Sequence, residues 1–300
     1  MIDYDAHRWW DHLLDVKGSM VREIIPGVMI VVVWSAGVVA LDKYVARVGI
    51  PSTVHSLVGL ALGLLLVFRT NASYDRFWEG RKQWGGMVNE TRNLARASSV
   101  LLRAAPDLHR PIVRWTAVWA YSAMCSLRGR RGLGPAADGL PVSEREEVLA
   151  ADHVPLAVAV RITRLLNEAK ERGVVSDYQQ MTLDHNVQLL IDYLGACERI
   201  RRTPLPFAYV VHLRRALVLY CFSLPFALIE TFGWATIGLV FVLAYTFFGI
   251  EEIGVEIEDP FGEDDNDLPL ERICSTIEKN VLALSGEEAP AAKSAAPEPA

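Results

Sequence analysis

Residues 50–85 read IPSTVHSLVGLALGLLLVFRTNASYDRFWEGRKQWG, and this stretch changes from an apolar run to a charged one at Arg69. The nineteen residues 50–68 carry no formal charge, apart from a proton that His55 can take up. A helix needs about 20 apolar residues to cross a hydrocarbon core about 30 Å thick. The stretch therefore predicts a membrane-spanning helix that ends between Phe68 and Arg69.

Three more apolar runs accompany this one. Residues 24–41 and 232–250 contain no formal charge, and the shorter run 216–229 follows Arg214 and Arg215. The shorter run spans a membrane only if it starts near residue 205 and leaves both arginines near the headgroups or in a wet cavity, because a lone charge in lipid is costly. The pattern predicts an all-α membrane protein with four transmembrane helices. Buried core helices of a soluble protein are the alternative.

The four runs are expected to pair as hairpins, because only residues 42–49 and 230–231 separate the members of each pair. Lysines and arginines gather before the first run, after the second and before the third, whereas the short loops hold only Lys43 and Arg47. Cytoplasmic flanks are rich in these residues. We therefore expect a multi-pass protein of the cell inner membrane with both termini and the middle segment in the cytoplasm. The polar N-terminus predicts no cleaved signal segment.

Composition narrows the function further. Hydrophobic residues make up 51% of the chain and charged residues 22%, which excludes a disordered chain and a purely lipid-embedded one. The net charge of −6 argues against a nucleic-acid partner, because phosphate binding needs a basic surface. The four cysteines lack metal-ligand spacing, and no phosphate-binding loop, nucleophile elbow or His-Glu-x-x-His is present. The sequence predicts neither an enzyme nor a required cofactor.

The chain is expected to contain six segments. They are an N-terminal cytosolic segment (1–23), a first transmembrane hairpin (24–68), a cytosolic helical domain (69–203), a second transmembrane hairpin (204–250), an acidic cytosolic C-terminal segment (251–284) and a disordered tail (285–300). Within the helical domain, apolar spacing predicts helices over 84–105, 108–127 and 176–200. Ser143 and Glu146 predict a capping box, and Asp152 is expected to begin a further helix. The inner stripe expected on the last helix is Tyr178, Met181, Val187, Leu190, Ile191 and Leu194.

The second apolar run carries a pattern that indicates a pore. Leu60, Leu64 and Phe68 are four residues apart and therefore form one stripe of a helix. Gly59 and Gly63 form a Gly-x-x-x-Gly on a neighbouring face, which allows another helix to approach closely. A ring of such stripes makes an apolar constriction that gates ions by dewetting. The other interpretation is that the leucines face lipid and the glycines pack within the chain.

Three stretches resemble hallmarks of bacterial bestrophins. They are residues 68–85 (FRTNASYDRFWEGRKQWG), 197–209 (CERIRRTPLPFAY) and 258–270 (EDPFGEDDNDLPL). The order of segments is also similar, and the resemblance covers nearly the whole chain except the tail. It implies a homopentameric ion channel, embedded in the lipid bilayer, with four membrane helices per subunit and a helical cytosolic domain that prolongs the pore.

The resemblance also implies two constrictions. The first is a neck of three apolar side chains on the second membrane helix, which correspond by position to Leu60, Leu64 and Phe68. This is the stripe that the spacing indicates independently. The second is a cytosolic aperture at the start of the long helix that follows Ser176, and its matching residue is Tyr178. An aliphatic side chain is common there in the family, so the tyrosine is a departure.

A calcium site is a further implication of the resemblance. Animal bestrophins bind calcium with an acidic cluster after the fourth membrane helix and a backbone oxygen near the N-terminus. The sequence departs from the animal motif at Glu256 and Asp259, Asn266 interrupts the acidic run, and bacterial members often lack calcium control. The cluster is therefore either a calcium site, for which carboxylates are suitable ligands, or a solvated helix cap. The candidate ligands are Asp259, Glu263, Asp264 and Asp267, with Asp265 beside them.

The residues after the neck have two interpretations. Arg69, Tyr74, Asp75 and Arg76 follow the second apolar run, where an Arg–Asp network is expected to anchor the neck helix to the cytosolic domain. A positively charged flank that only fixes the orientation in the membrane is the alternative.

Taken together, the residues and the resemblance predict a channel for monovalent ions. Chloride is the family default and sodium is the competitor, because an apolar neck selects neither sign. Two other classes compete with a channel. One is a non-conducting membrane scaffold. The other is a transporter or membrane enzyme, which needs ionisable residues inside the spans, and the nearest candidates are His55, Arg214 and Arg215.

Overall fold

A computed structural model describes residues 18–286, and every regular element in this range is helical. The all-α prediction is confirmed for this part of the chain. The first seventeen residues of the predicted N-terminal segment, and the predicted disordered tail beyond residue 286, lie outside the described residues. In chain order the α-helices are α1 (Val21–Tyr44), α2 (Ser52–Leu101), α3 (Pro106–Leu127), α4 (Val142–Ala150), α5 (Val154–Glu171), α6 (Asp177–Arg202), α7 (Phe207–Phe232), α8 (Thr236–Glu256) and α9 (Leu270–Leu282).

The chain forms two compact units. Among the described residues, the first unit comprises the chain up to Trp78 together with Thr203–Asp267, and the second comprises Glu79–Arg202 together with the chain from Leu268 onward. Helices α1, α7 and α8 belong to the first unit, and helices α3 to α6 and α9 belong to the second. Helix α2 begins in the first unit and ends in the second.

The first unit has a core made of the apolar runs. Helix α1 contributes Val28 and Val31, and α2 contributes Leu62 and Leu66. Helices α7 and α8 complete the core with Leu213, Leu217, Tyr220, Cys221, Leu224, Val240 and Ala244. Much of the apolar surface stays exposed, for example at Ile30, Val33 and Leu219. An apolar surface of this kind is suited to lipid or to another copy of the chain.

Within residues 18–286, three helical stretches are long and apolar enough to cross a membrane: Val21–Tyr44, Ser52–Leu101 and Phe207–Glu256. The third and fourth predicted spans both lie in the last stretch. A short 3₁₀ turn, Gly233–Ala235, divides that stretch into α7 and α8. Gly233 has φ of +53°, a left-handed conformation that glycine adopts without a steric penalty. Helices α7 and α8 also pack against each other, as expected for a hairpin.

The second unit has a core rich in tryptophan. Trp84 of α2 and the pair Trp115 and Trp119 of α3 are fully buried. Helix α3 packs against α5 and α9, and α5 packs against α6. Gly86 of α2 leaves room for the ring of Tyr193 on α6, because a side-chain carbon at Gly86 would lie 2.5 Å from that ring. All four cysteines of the chain are free.

Several predicted helix boundaries are wrong. The helix predicted over 84–105 is the second half of α2, because no proline interrupts the chain between residue 52 and Pro106. The predicted capping box fails because α4 already begins at Val142, which places Ser143 inside its first turn and leaves no side-chain cap bond. Helix α5 is capped by His153 instead of Asp152, since the His153 side chain accepts a hydrogen bond from the Leu156 amide.

Candidate pore-lining residues

The predicted neck stripe is a strongly exposed face of α2 in the first unit. Leu60, Leu64 and Phe68 are 74%, 55% and 56% exposed, whereas the intervening Leu62 and Leu66 are buried. Successive members of the stripe are about 6 Å apart along the helix axis. Helix α2 thus has two apolar faces, one packed within the chain and one left open. The structure brings the three predicted neck residues onto the open face.

The packed face of α2 is fixed by an aromatic contact at its beginning. The imidazole of His55 stacks on the ring of Tyr220 with centroids 4.2 Å apart. Gly59 makes this approach possible, because a side-chain carbon there would lie 2.4 Å from the Tyr220 hydroxyl oxygen. Gly63 has open space around it among the described residues. The close approach predicted for the Gly-x-x-x-Gly therefore occurs within the chain at Gly59 alone.

A buried charge cluster follows the neck directly. Arg69 is 1% exposed, and its Nη2 lies 3.5 Å from Oε1 of Glu251 and 3.7 Å from Oε2 of Glu258. The same Glu251 oxygen accepts a hydrogen bond from Nε of Arg214 at 2.9 Å. Gly254 makes room for the guanidinium, because a side-chain carbon there would lie 3.2 Å from Arg69 Nε. We call Arg69, Glu251, Glu258 and Arg214 the charge cluster.

The charge cluster corrects the predicted Arg–Asp network. The acidic partners of Arg69 are glutamates near the end of α8, and they belong to the same unit as the neck. Asp75 does not reach Arg69, because six residues along a helix place it on a different face. The cluster could not be found from local spacing, since its members come from three separate parts of the chain. Burial of a charge is costly unless it is paired, so the pairing accounts for Arg69 being tolerated inside the unit.

Two turns further along, Arg76 ties α2 to the chain segments on either side of the α7–α8 hairpin. Its Nε donates to the Glu258 carbonyl oxygen at 3.1 Å, and its Nη1 donates to the Thr203 carbonyl oxygen. The Tyr209 hydroxyl donates to the carbonyl oxygen of Leu65, also in α2, at 3.0 Å. Both cationic side chains after the neck, Arg69 and Arg76, therefore point into the first unit.

The predicted aperture residue stands at the beginning of α6 in the second unit. Tyr178 is 78% exposed, and Met181 one turn later is 58% exposed, so neither belongs to the buried stripe predicted for this helix. The buried stripe consists of Leu183, Val187, Leu190, Leu194, Cys197 and Ile200. Tyr178 is thus free to face solvent or another copy of the chain.

A capping box fixes the start of α6. The Gln179 amide donates to Oγ of Ser176 at 3.3 Å, and the Ser176 amide donates to Oε1 of Gln179 at 2.9 Å. Nζ of Lys170 lies 2.8 Å from Oδ1 of Asp177. This box is absent from the sequence predictions, although the spacing Ser-x-x-Gln is its ordinary signature. The box holds the backbone at Tyr178, which lies between its two members.

The acidic segment after α8 uses several of its groups in local hydrogen bonds. The Asp264 amide donates to Oδ2 of Asp267 at 2.7 Å, and the Phe261 amide donates to Oδ1 of Asp259 at 3.3 Å. Asp267 is buried, and burial raises the pKa of its carboxyl group to about 6. Glu263, Asp264 and Asp265 form the more open side of the segment. The segment therefore contains one structural carboxyl group and several solvated ones.

The described residues do not form a preformed calcium site. Between residues 18 and 286 no three His, Cys, Asp or Glu side chains form a group that could hold a metal ion. A backbone oxygen near the N-terminus is close by, as the resemblance implies, but it accepts from an amide: Nδ2 of Asn266 donates to the Gly18 carbonyl oxygen and to Oε1 of Glu256, both at 3.1 Å. Calcium binding by Asp259, Glu263, Asp264 and Asp267 stays a prediction.

Known proteins match this chain over most of its length. The sequence profile of the family described as Bacterial/Fungal Bestrophin protein matches residues 1–283. A voltage-dependent anion channel-forming protein from Synechocystis sp. is 40% identical over 280 residues, which cover 92% of this chain and 91% of that protein. The voltage-dependent anion channel-forming protein YneE from Escherichia coli is 30% identical over 289 residues, which cover 96% and 95%.

A solved structure agrees with these sequence matches. A bacterial bestrophin homolog from Klebsiella pneumoniae has a TM-score of 0.84 with this chain at 33% identity. The match covers 89% of this chain and 100% of that one. The likeness thus extends over both units and is not confined to the neck helix.

Proposed function

The chain belongs to the bacterial and fungal bestrophin family, and from this premise we propose that it assembles as a homopentamer that conducts monovalent anions, chloride first among them. Four membrane crossings per subunit, with both termini in the cytoplasm of the cell, complete the proposal. The close relatives named above as anion channel-forming proteins support an anion over a sodium ion. Nothing in the geometry of the described residues favours a scaffold or a transporter.

One observation carries the proposal. Leu60, Leu64 and Phe68 form an open apolar stripe on a helix that is long enough to cross a membrane. Lipid would cover such a stripe as well as a pore would, but the charge cluster directly after it argues for a wet end. Arg69 is buried against paired carboxylates, whereas Arg214 of the same cluster is 52% exposed and needs water beside it. A stripe that meets a polar region at one end is suited to the neck of a pore.

The assembly follows from the shape of a single subunit. The few spanning helices of one chain do not enclose a pore, so the stripes must come from several copies related by a rotation axis. An apolar ring of this kind admits ions when water enters it and blocks them when water leaves. In this proposal Tyr178 forms the second constriction, where its exposed ring narrows the cytosolic path.

The test is a recording of the purified protein in planar bilayers with asymmetric sodium chloride, after its mass in detergent has been measured. We expect a mass of five chains and a reversal potential close to the chloride equilibrium value. A reversal potential close to the sodium value would overturn the anion assignment. Absence of current from an intact oligomer, over a range of voltages, would overturn the channel itself.

A further inference from the structure

The open face of α2 does not end at Phe68. With 3.6 residues per turn, Asn71 and Asp75 each lie about 20° from Leu64 around the helix axis. Both are exposed, and both lie in the first unit like the neck itself. Asp75 comes about 10 Å after Phe68 along the axis. The neck stripe therefore continues into an amide and then into a carboxylate.

The cationic and anionic side chains on this part of α2 lie on different faces of the helix. Arg69 and Arg76 lie about 120–140° away from Leu64, and they point inward to the partners described above. The carboxylate of Asp75 forms no hydrogen bond or ion pair with any other residue of the described range 18–286. Between Ser52 and Trp78 it is also the one carboxylate. The cations are thus used inside the unit, and the anion is left on the stripe.

We propose that Asp75 forms a ring of carboxylates beside the neck of the assembled channel and that this ring sets the balance between anions and cations. The inference rests on the proposed function, because a single chain has one such carboxylate on the stripe and a ring forms only when several copies assemble. Rotational symmetry repeats it in every subunit around the axis. Neither apolar side chains nor the amide of Asn71 can supply a fixed charge at this level.

The ring acts on the concentration of ions at the mouth of the neck. A ring of negative charge attracts cations and repels anions over a distance comparable with the Debye length, which is about 10 Å at 0.1 M salt. The ring therefore limits the preference for chloride that the rest of the pore establishes. Its influence should grow as salt is diluted, because the Debye length lengthens to about 30 Å at 0.01 M. This salt dependence separates a fixed charge from a change in pore width.

The experiment measures the permeability ratio of chloride to sodium from reversal potentials of the purified pentamer, at low and at high salt. Asp75→Asn removes the charge at nearly constant size, and we expect the ratio to rise at least about threefold at low salt and much less at high salt. Asp75→Glu keeps the charge and is expected to leave the ratio close to that of the unaltered protein. Asn71→Asp adds a second ring on the same stripe and is expected to lower the ratio.

The outcomes are distinguishable. If the unaltered protein conducts and the ratio stays constant in both Asp75→Asn and Asn71→Asp, the role of Asp75 is overturned while the channel stands. If the unaltered pentamer is silent, the proposed function fails, and the inference fails with it. If Asp75→Asn does not assemble, Asn71→Asp decides alone: a lower ratio supports the ring, and a constant one overturns it.

Discussion

At the neck, Leu60, Leu64 and Phe68 stand on a helix whose other face is fixed by buried packing and by the charge cluster, whereas Tyr178 stands on a helix start that is fixed by exposed hydrogen bonds. A helix that is held by buried packing can shift only if the close packing of the whole unit changes. A surface capping box contributes about 1 kcal/mol and can be lost without unfolding the helix. We therefore infer that substitutions among the buried residues that support the neck lower the stability of the first unit. Substitutions at the aperture should cost little stability.

The largest effect should come from removing the support of the neck. Arg69→Met leaves Glu251 and Glu258 without their shared cation, and breaking a buried pair in this way costs about 3 kcal/mol or more. We expect a clear drop in the thermal unfolding midpoint of the purified protein and a loss of assembled oligomer. Thermal unfolding in detergent, followed by size-exclusion chromatography, measures both.

Arg214→Met is the matched control for this variant. Arg214 binds the same carboxylate, but its side chain is 52% exposed, against 1% for Arg69. Water replaces much of what an exposed ion pair provides, so the control should lose far less stability. Equal losses in the two variants would show that burial of Arg69 is not what supports the neck.

The next effect is on ion flux through the neck. Replacing Leu60, Leu64 and Phe68 together by alanine widens the apolar constriction, and water should then fill it. We expect ion flux to rise at least about tenfold, which corresponds to a barrier lowered by about 1.4 kcal/mol. Flux assays on liposomes that contain the purified oligomer measure this rise.

Val58→Ala serves as the control for the neck variant. Val58 is also an exposed apolar residue of α2, but it lies about 120° away from Leu64 around the axis. Its truncation should leave the flux unchanged. The neck assignment fails if the triple variant assembles and conducts no better than the control.

The neck stripe and the partners of Arg69 differ in whether they can be predicted from the sequence alone. The neck stripe depends on spacing within one helix, so the positions of Leu60, Leu64 and Phe68 along the chain are enough to place them on a common face. The partners of Arg69 cannot be found in this way, because Glu251 and Glu258 are far along the chain and only tertiary packing brings them close. The number of spans can be predicted only in part. Composition finds four apolar runs, but the last two lie in one helical stretch divided by a short turn.

The capping box at the start of α6 is absent from the sequence predictions for a different reason. The Ser-x-x-Gln signature at Ser176 and Gln179 is as local as the neck stripe, yet the capping box predicted from the sequence is the one at Ser143 and Glu146. There Pro141 precedes Val142, and the helix starts before Ser143. A capping signature therefore indicates a helix start only where nothing upstream begins the helix first.

A smaller effect is expected from the support of the aperture. Gln179→Ala removes one half of the capping box and should destabilise the start of α6 by about 0.5–1 kcal/mol. Hydrogen exchange of the amides in the first turn of α6 should become faster, while the unfolding midpoint hardly moves. Gln180→Ala is the control, since the Gln180 side chain makes no hydrogen bond within residues 18–286. Equal exchange in the two variants would contradict the role of the box.

The smallest effect should be on the aperture itself. Tyr178→Ala removes an exposed ring and should raise single-channel conductance by about twofold or less, because the neck stays the narrower barrier. The change should be larger for a bulky anion such as gluconate than for chloride, since the ring limits width and carries no fixed charge. Tyr178→Phe keeps the ring and removes the hydroxyl group, so it separates size from hydrogen bonding. If Tyr178→Phe alters conductance as much as Tyr178→Ala, the hydroxyl group contacts the permeant ion. If neither variant changes the passage of gluconate, Tyr178 does not constrict the path. Of the two predicted constrictions, the neck alone then remains.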